Sequence, residues 1–426
     1  MLAKIRLAGV LCARYLMIVP LLLLAGCGGG GGITGTPVID PSSNTLYLIS
    51  KSQGPAGTFH QRLHALDLLS GNEKFSGPVN IAASVPGTGY DASNSTISFR
   101  PTQNQRCSLA LVNGVVYVAW AAHDDADPYH GWVLGYNAAT LALASAYNTT
   151  PNGQRGGIWM GGAAPSADSA GNLYVSSGNG TFDSANSNFG DTVLKLGTSG
   201  GLTVSDWFTP FNQSTLESLD LDLGSAGVLV LPDQASGPAH LLVTGGKEGK
   251  LYVINRDSMG HFCGSCTTTT GDTNIVQTFP ATNALFGIPA FWQNGLYLAG
   301  AGDKLSLFTF NPSTGTFSTT PASQSSTVYS GRGAMPAISS QGTSNGIAWA
   351  IDSAQFGIPG SHGLGPAVLH AYDATNLATE LWNSTQAANN RDQAGNAVKF
   401  TVPTVVNGKV YIGTQSTLEV YGLLPD

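Results

Sequence analysis

Beyond residue 35 the apolar residues fall into short runs that alternate with polar positions, and the runs are broken by Gly, Asn, Asp, Ser and Pro. Alternation at period two is the mark of a half-buried strand. The runs come in groups of three that repeat at an irregular period of roughly 45 to 60 residues. The first run of each group lies at 36–40, 109–112, 163–167, 227–231, 288–291, 335–338 and 402–405. The second, with a Tyr or Trp in most copies, lies at 46–49, 115–118, 172–175, 240–244, 295–298, 347–350 and 409–412. The third lies at 64–67, 133–137, 192–196, 251–255, 307–311, 369–373 and 418–421, often ending on Asp or Asn. Asn113-Gly114, Asn294-Gly295 and Asn407-Gly408 stand between first and second runs, where a two-residue hairpin turn needs positive φ. No stretch sustains a helical period, which excludes α/β folds.

Seven similar groups are too many for a sandwich. Radial repetition hides strand edges and accounts for the count. The pattern predicts an all-β propeller of about seven four-stranded blades, with eight as the alternative. The last group shows three runs only. Either its closing strand is missing, or the ring is one blade shorter than its relatives.

Composition narrows the function. The 426 residues include 55 Gly and only 10% charged residues, as suits many tight turns. Net charge is −7 with no basic cluster, so nucleic acid is excluded as a partner. The N-terminus reads as a targeting segment. Lys4, Arg6 and Arg14 precede the apolar stretch 16–24, which is too short for a firm membrane span. Leu24-Ala25-Gly26-Cys27 then resembles a bacterial lipobox, with the Cys27 thiol as the acylated nucleophile. This divides the chain into a signal at 1–27, a Gly-rich linker at 28–35 and the propeller at 36–426. It implies export and lipid anchoring to the envelope, at the outer membrane in a Gram-negative host. The chain is expected to be a monomer.

Cys263-Gly264-Ser265-Cys266 has Thr267 after it, so it is not a c-type haem site. It lacks a second ligand pair for zinc. A small loop disulfide is expected there in an oxidising compartment, which leaves Cys107 unpaired.

The third runs resemble the repeat of pyrroloquinoline-quinone (PQQ) propellers, as His64-Ala65-Leu66-Asp67-Leu68-Leu69-Ser70-Gly71 and His370-Ala371-Tyr372-Asp373-Ala374-Thr375. The resemblance covers nearly all of the chain beyond Gly32. It is degenerate, since the Gly-x-x-Trp ending is mostly lost. The stretch 156–256 further resembles quinoprotein alcohol dehydrogenases. Gly156-Gly157-Ile158-Trp159 looks like the segment whose Trp lies under the quinone. Ser177-Gly178-Asn179-Gly180 with Gly190-Asp191 looks like the segment whose Asn binds calcium. Leu219-Asp220-Leu221-Asp222 looks like the segment that carries the base. Lys247 stands where the family's cation touches the quinone oxygens.

The resemblance implies Trp159 and Lys247 as cofactor contacts, Asn179 as a metal ligand and Asp222 as the catalytic base, with PQQ and Ca²⁺ as possible cofactors. The family's vicinal Cys pair and its second calcium carboxylate, a Glu, are absent. Asp124, in the acidic loop 123–130, is the candidate substitute ligand. Plainer readings stand beside these: Asn179 as a left-handed turn residue, Trp159 as packing, Asp220 and Asp222 on an exposed strand edge, Lys247 and the acidic loop as solvated turns. The missing features point to an envelope-anchored binding or scaffold propeller without catalysis. In architecture it resembles the propeller lipoprotein of the outer-membrane barrel-assembly machinery. A PQQ- and calcium-dependent dehydrogenase is the alternative. The ligand or protein partner is not specified by the sequence.

Overall fold

The computed structural model describes residues 2–5, 32–356 and 365–423. The chain is a seven-bladed β-propeller of antiparallel sheets. It divides into two compact units, Arg14–Pro232 with His240–Thr278, and Phe279–Asp426 with Met1–Ala13 and Asp233–Ala239. Among the described residues no helix is long and apolar enough to cross a membrane.

The first unit carries four blades. The first runs Val38–Asp40, Thr45–Gln53, Phe59–Asp67 and Val79–Asn80. The second runs Ala110–Val112, Val115–Trp120, Trp132–Asn137 and Leu143–Asn148. The third has Ser166–Ala167, Leu173–Ser176, Val193–Gly197 and Thr203–Thr209, and His261–Phe262 adds a short parallel strand to its outer edge. The fourth has Leu229–Val230, Leu241–Gly245, Lys250–Asn255 and Gln277–Pro280. The second unit carries three. The fifth blade is built on Ala290–Trp292, Gly295–Leu298 and Asp303–Asn311, with Ser323–Tyr329 outside. The sixth has Ala337–Gln341, Ser344–Asp352, Val368–Asp373 and Glu380–Asn383. The seventh has Thr404–Val406, Lys409–Gly413 and Leu418–Leu423.

The fourth place in the seventh blade is taken by Leu2–Ile5, antiparallel to Leu418–Leu423. This strand lies within the segment read above as a signal. Cleavage at Cys27 would remove it and leave Leu418–Leu423 as an open edge. Cys27 and the lipobox lie outside the described residues.

The turns explain the repeat. Asn113-Gly114 and Asn407-Gly408 both take positive φ and join directly paired strands. At the third such site the left-handed pair is Gln293-Asn294, one residue earlier than expected. Gly295 is instead the first strand residue, where a Cβ would meet Leu307 Cδ1 at 2.7 Å. Where a third strand ends on an acid, at Asp67 and Asp373, that acid caps the next turn. Asp67 Oδ1 accepts from the Ser70 amide at 2.9 Å, and Asp373 Oδ1 from the Thr375 amide at 2.8 Å. These hydrogen bonds hold both carboxyls below the usual carboxylate range.

The core lies between blades. One cluster joins Tyr47, Ile49 and Leu63 of the first blade to Trp120, Trp132 and Leu134 of the second. Another joins Trp349, Leu369 and Trp382 of the sixth to Val410 and Tyr421 of the seventh. The recurrent Tyr serves both packing and polarity. Tyr47 Oη donates to the Ala138 carbonyl at 2.8 Å, and Tyr297 Oη to the Ala374 carbonyl at 2.7 Å. Each thus reaches a turn of the following blade. Cys263 and Cys266 are joined in a disulfide, and Cys107 is free and buried.

Candidate functional site

Strands in a blade alternate in direction. The link into a blade and the loop between its second and third strands therefore leave at the same end. Trp159 lies on the link into the third blade and Asn179 on that blade's second-to-third loop. Asp222 lies on the link into the fourth blade and Lys247 on its second-to-third turn. Topology alone places all four at one end of their unit.

They converge. Asp222, 4% exposed, accepts the Asn179 amide on Oδ1 at 2.8 Å. Its Oδ2 meets Lys247 Nζ at 2.6 Å, and Lys247 also reaches Asp220 Oδ1 at 2.8 Å. Gly178 separates Asp222 from Trp159: a Cβ there would lie 2.7 Å from Asp222 Oδ1 and 3.1 Å from Trp159 Cδ1. Two buried polar atoms here have no partner, Asn179 Oδ1 and Trp159 Nε1. Such atoms are rare in folded chains and mark places where a ligand or water supplies the bond.

Several plainer readings fall away. Asn179 does not have positive φ, so it is not a left-handed turn residue. Asp222 and Asp220 lie on a loop and not on a strand edge. Lys247 is mostly covered, and Trp159 is half-buried with Tyr129 at its edge, 6.4 Å between centroids. The Asp124 side chain is 85% exposed and pairs with His123 at 3.2 Å. Asp124 and Asp125 are consecutive left-handed residues, and Asp125 is the one that senses the site. Its carboxyl is pushed up by desolvation and by the charges of Asp222 and Asp220.

The site includes residues that the sequence did not single out. The short helix Gln213–Ser218 presents Gln213 and Glu217, four apart and so on one face. Glu217 accepts the Gly180 amide, and Gln213 Nε2 donates to the Gly180 carbonyl at 3.3 Å. That i, i+4 spacing was the available signal. Arg106 lies 5.6 Å from the Trp159 ring centroid, and nothing in its local sequence announces this. Asp191 is fully buried and accepts the Leu223 amide at 3.1 Å, holding the loop that carries Asp222. Desolvation first, and the Asp222 charge second, raise its carboxyl well above the usual range. Burial likewise raises Asp222, against the pull of Lys247. Met160, Asp191 and Asp220 all have positive φ, so backbone strain gathers around the cluster.

Gly178→Ala tests the geometry without removing a polar group. The added methyl must displace Asp222 or Trp159, and a loss of about 1–3 kcal/mol is expected. Urea unfolding measures the loss, and a changed near-ultraviolet Trp signal locates it. Wild-type values for both would show that Gly178 is not crowded.

No protein-family model matches the chain, and no curated protein matches it in sequence. Among solved structures, BamB from Moraxella catarrhalis is similar with TM-score 0.53 at 13% identity, over 92% of this chain and 86% of that one. Quinohemoprotein alcohol dehydrogenase ADHIIG from Pseudomonas putida HK5 is similar with TM-score 0.51 at 13% identity, over 93% and 75%. The likeness shows that the chain shares its β-propeller fold with these two proteins. At this identity the likeness concerns the fold alone, so the chemistry of this propeller rests on its own residues.

Those residues suit a planar anionic quinone. Trp159 offers an aromatic ring with the Arg106 cation beside it, Lys247 adds a cation on Asp222, and Trp159 Nε1 is a donor without a partner. Calcium fits less well. It takes about six to eight oxygen ligands. Asn179 Oδ1 is one such oxygen, but Asp222 already holds Lys247. Among the described residues no three His, Cys, Asp or Glu side chains are grouped to hold a metal ion.

Proposed function

We propose that this propeller is an exported, lipid-anchored binding protein that holds a planar anionic ligand of the PQQ class at the Trp159–Asp222–Lys247 site, without turning it over. The observation that supports this is the meeting of four residues from four separate loops, two of which, Asn179 and Trp159, bring a buried polar atom with no partner. The missing Cys pair and Glu, and an ammonium already bridging Asp220 and Asp222, weigh against catalysis.

Calorimetric titration with PQQ, with and without Ca²⁺, tests the reading. Saturable binding is expected, weakened about tenfold or more by Trp159→Leu. No dye-linked alcohol oxidation is expected. Absence of binding under both conditions would overturn the proposal. A second reading, a dehydrogenase with Asp222 as base, is favoured by that carboxyl's burial and its fixed contacts. Alcohol oxidation abolished by Asp222→Asn would establish it in place of the first.

Lipid anchoring is tested separately. Metabolic labelling with an acyl probe in a bacterial host is expected to mark the wild-type chain and to be lost in Cys27→Ser. Equal labelling of both would remove the anchor from the proposal.

A further inference from the structure

The second unit holds a cluster of rings and cations that the proposed function does not use. Phe286 lies on the link into the fifth blade, Arg332 on the link into the sixth, and Lys399 with Phe400 on the link into the seventh. Phe356 follows the second strand of the sixth blade. By the rule of alternating strands all five leave their blades at the same end. The contacts form a chain. Arg332 lies 4.6 Å from the Phe286 ring centroid, and the Phe286 and Phe400 rings are 6.4 Å apart. Lys399 Nζ lies 5.6 Å from the Phe400 centroid and 5.7 Å from that of Phe356.

Three features set the cluster apart from ordinary packing. Its rings are half-buried and Arg332 is exposed, so it is open to solvent. Arg332 makes no ion pair among the described residues, in a chain whose net charge is −7. Phe400 has φ of 65°, which is strained for a bulky side chain, and Arg332 sits between Gly331 and Gly333, both with positive φ.

We propose that this cluster binds a small aromatic carboxylate. Phe286, Phe356 and Phe400 supply apolar, ring-shaped surface for the aromatic part. Arg332 and Lys399 supply the charge, and the planar guanidinium fork suits a carboxylate. Two cations disfavour a positively charged ligand, and three rings add nothing for a bare inorganic anion. The inference is independent of the PQQ-class site in the other unit.

The test is calorimetric titration of the full chain with 2-naphthoate, its uncharged amide and acetate. Saturable binding of 2-naphthoate is expected, about tenfold or more tighter than either control. Arg332→Gln and Lys399→Gln should each weaken it by about tenfold. Arg332 is exposed, so Arg332→Gln should keep the wild-type melting curve, which reads charge loss apart from unfolding. No saturable binding, wild-type affinity in both charge variants, or equal binding of the amide or of acetate would overturn the proposal.

Discussion

Lys247→Met is expected to destabilise the chain by about 3–5 kcal/mol at neutral to alkaline pH, because it leaves a buried carboxylate without its countercharge. Asp222 is 4% exposed, and its Oδ2 depends on Lys247 at 2.6 Å. Asp220 is largely exposed and contributes little to the loss. The effect has a direction in pH. Burial already raises the Asp222 carboxyl, and Lys247 opposes that rise. Without the ammonium the folded-state pKa climbs further above the unfolded value of about 3.9. A group raised in this way leaves stability intact below its unfolded pKa and erodes it as pH rises through the folded pKa. The gap between wild type and Lys247→Met should therefore be large at about pH 8 and small at about pH 5. Urea unfolding at the two pH values measures it. An equal gap at both would mean that Asp222 does not rely on Lys247.

Trp120→Ala is expected to cost about 3–5 kcal/mol, as for other buried Trp truncations. Trp120 is fully buried between the first and second blades, 5.0 Å from Phe99 by ring centroids. Its indole donates to Gln61 Oε1 at 2.8 Å, so truncation both opens a cavity and leaves Gln61 short of a partner. The consequence reaches the site. The Trp120 carbonyl accepts the Ile158 amide at 3.1 Å, one residue before Trp159. Denaturant unfolding should show the loss, and PQQ-class binding should weaken with it. Trp120→Phe should recover part of the stability and leave the indole hydrogen bond missing. A cost under about 1 kcal/mol would show that the blade interface repacks freely.

The inner three strands of every blade were legible in the residues. They pack between neighbouring blades and are largely buried, so they carry apolar runs, mostly with a Tyr or Trp, and turn residues where φ is positive. The outer strands were not. Ser323–Tyr329 and Thr203–Thr209 face partly outward, mix polar and apolar positions, and follow connections of uneven length. Nothing in such an edge demands a period. The closing strand Leu2–Ile5 was missed for another reason. Its pairing with Leu418–Leu423 is long-range, and the local residues read equally well as part of a signal.

The site divides in the same way. Trp159, Asn179, Asp222 and Lys247 could be named from the sequence because each stands in a short recognisable segment. Their meeting could not, since it depends on strand direction and on Gly178 leaving room between Trp159 and Asp222. Asp125 carries no local motif for the site, and only the folded structure brings its carboxyl within reach of the Asp222 charge. Arg106 comes from a loop with no motif, and Glu217 from a short helix whose only local signal is its i, i+4 spacing to Gln213. Local sequence determined the strands, the turns and the types of chemical group available. The three-dimensional packing of the blades decided which carboxylate is buried, which is paired and which is left to solvent, because burial and electrostatic coupling depend on distance through space and not along the chain.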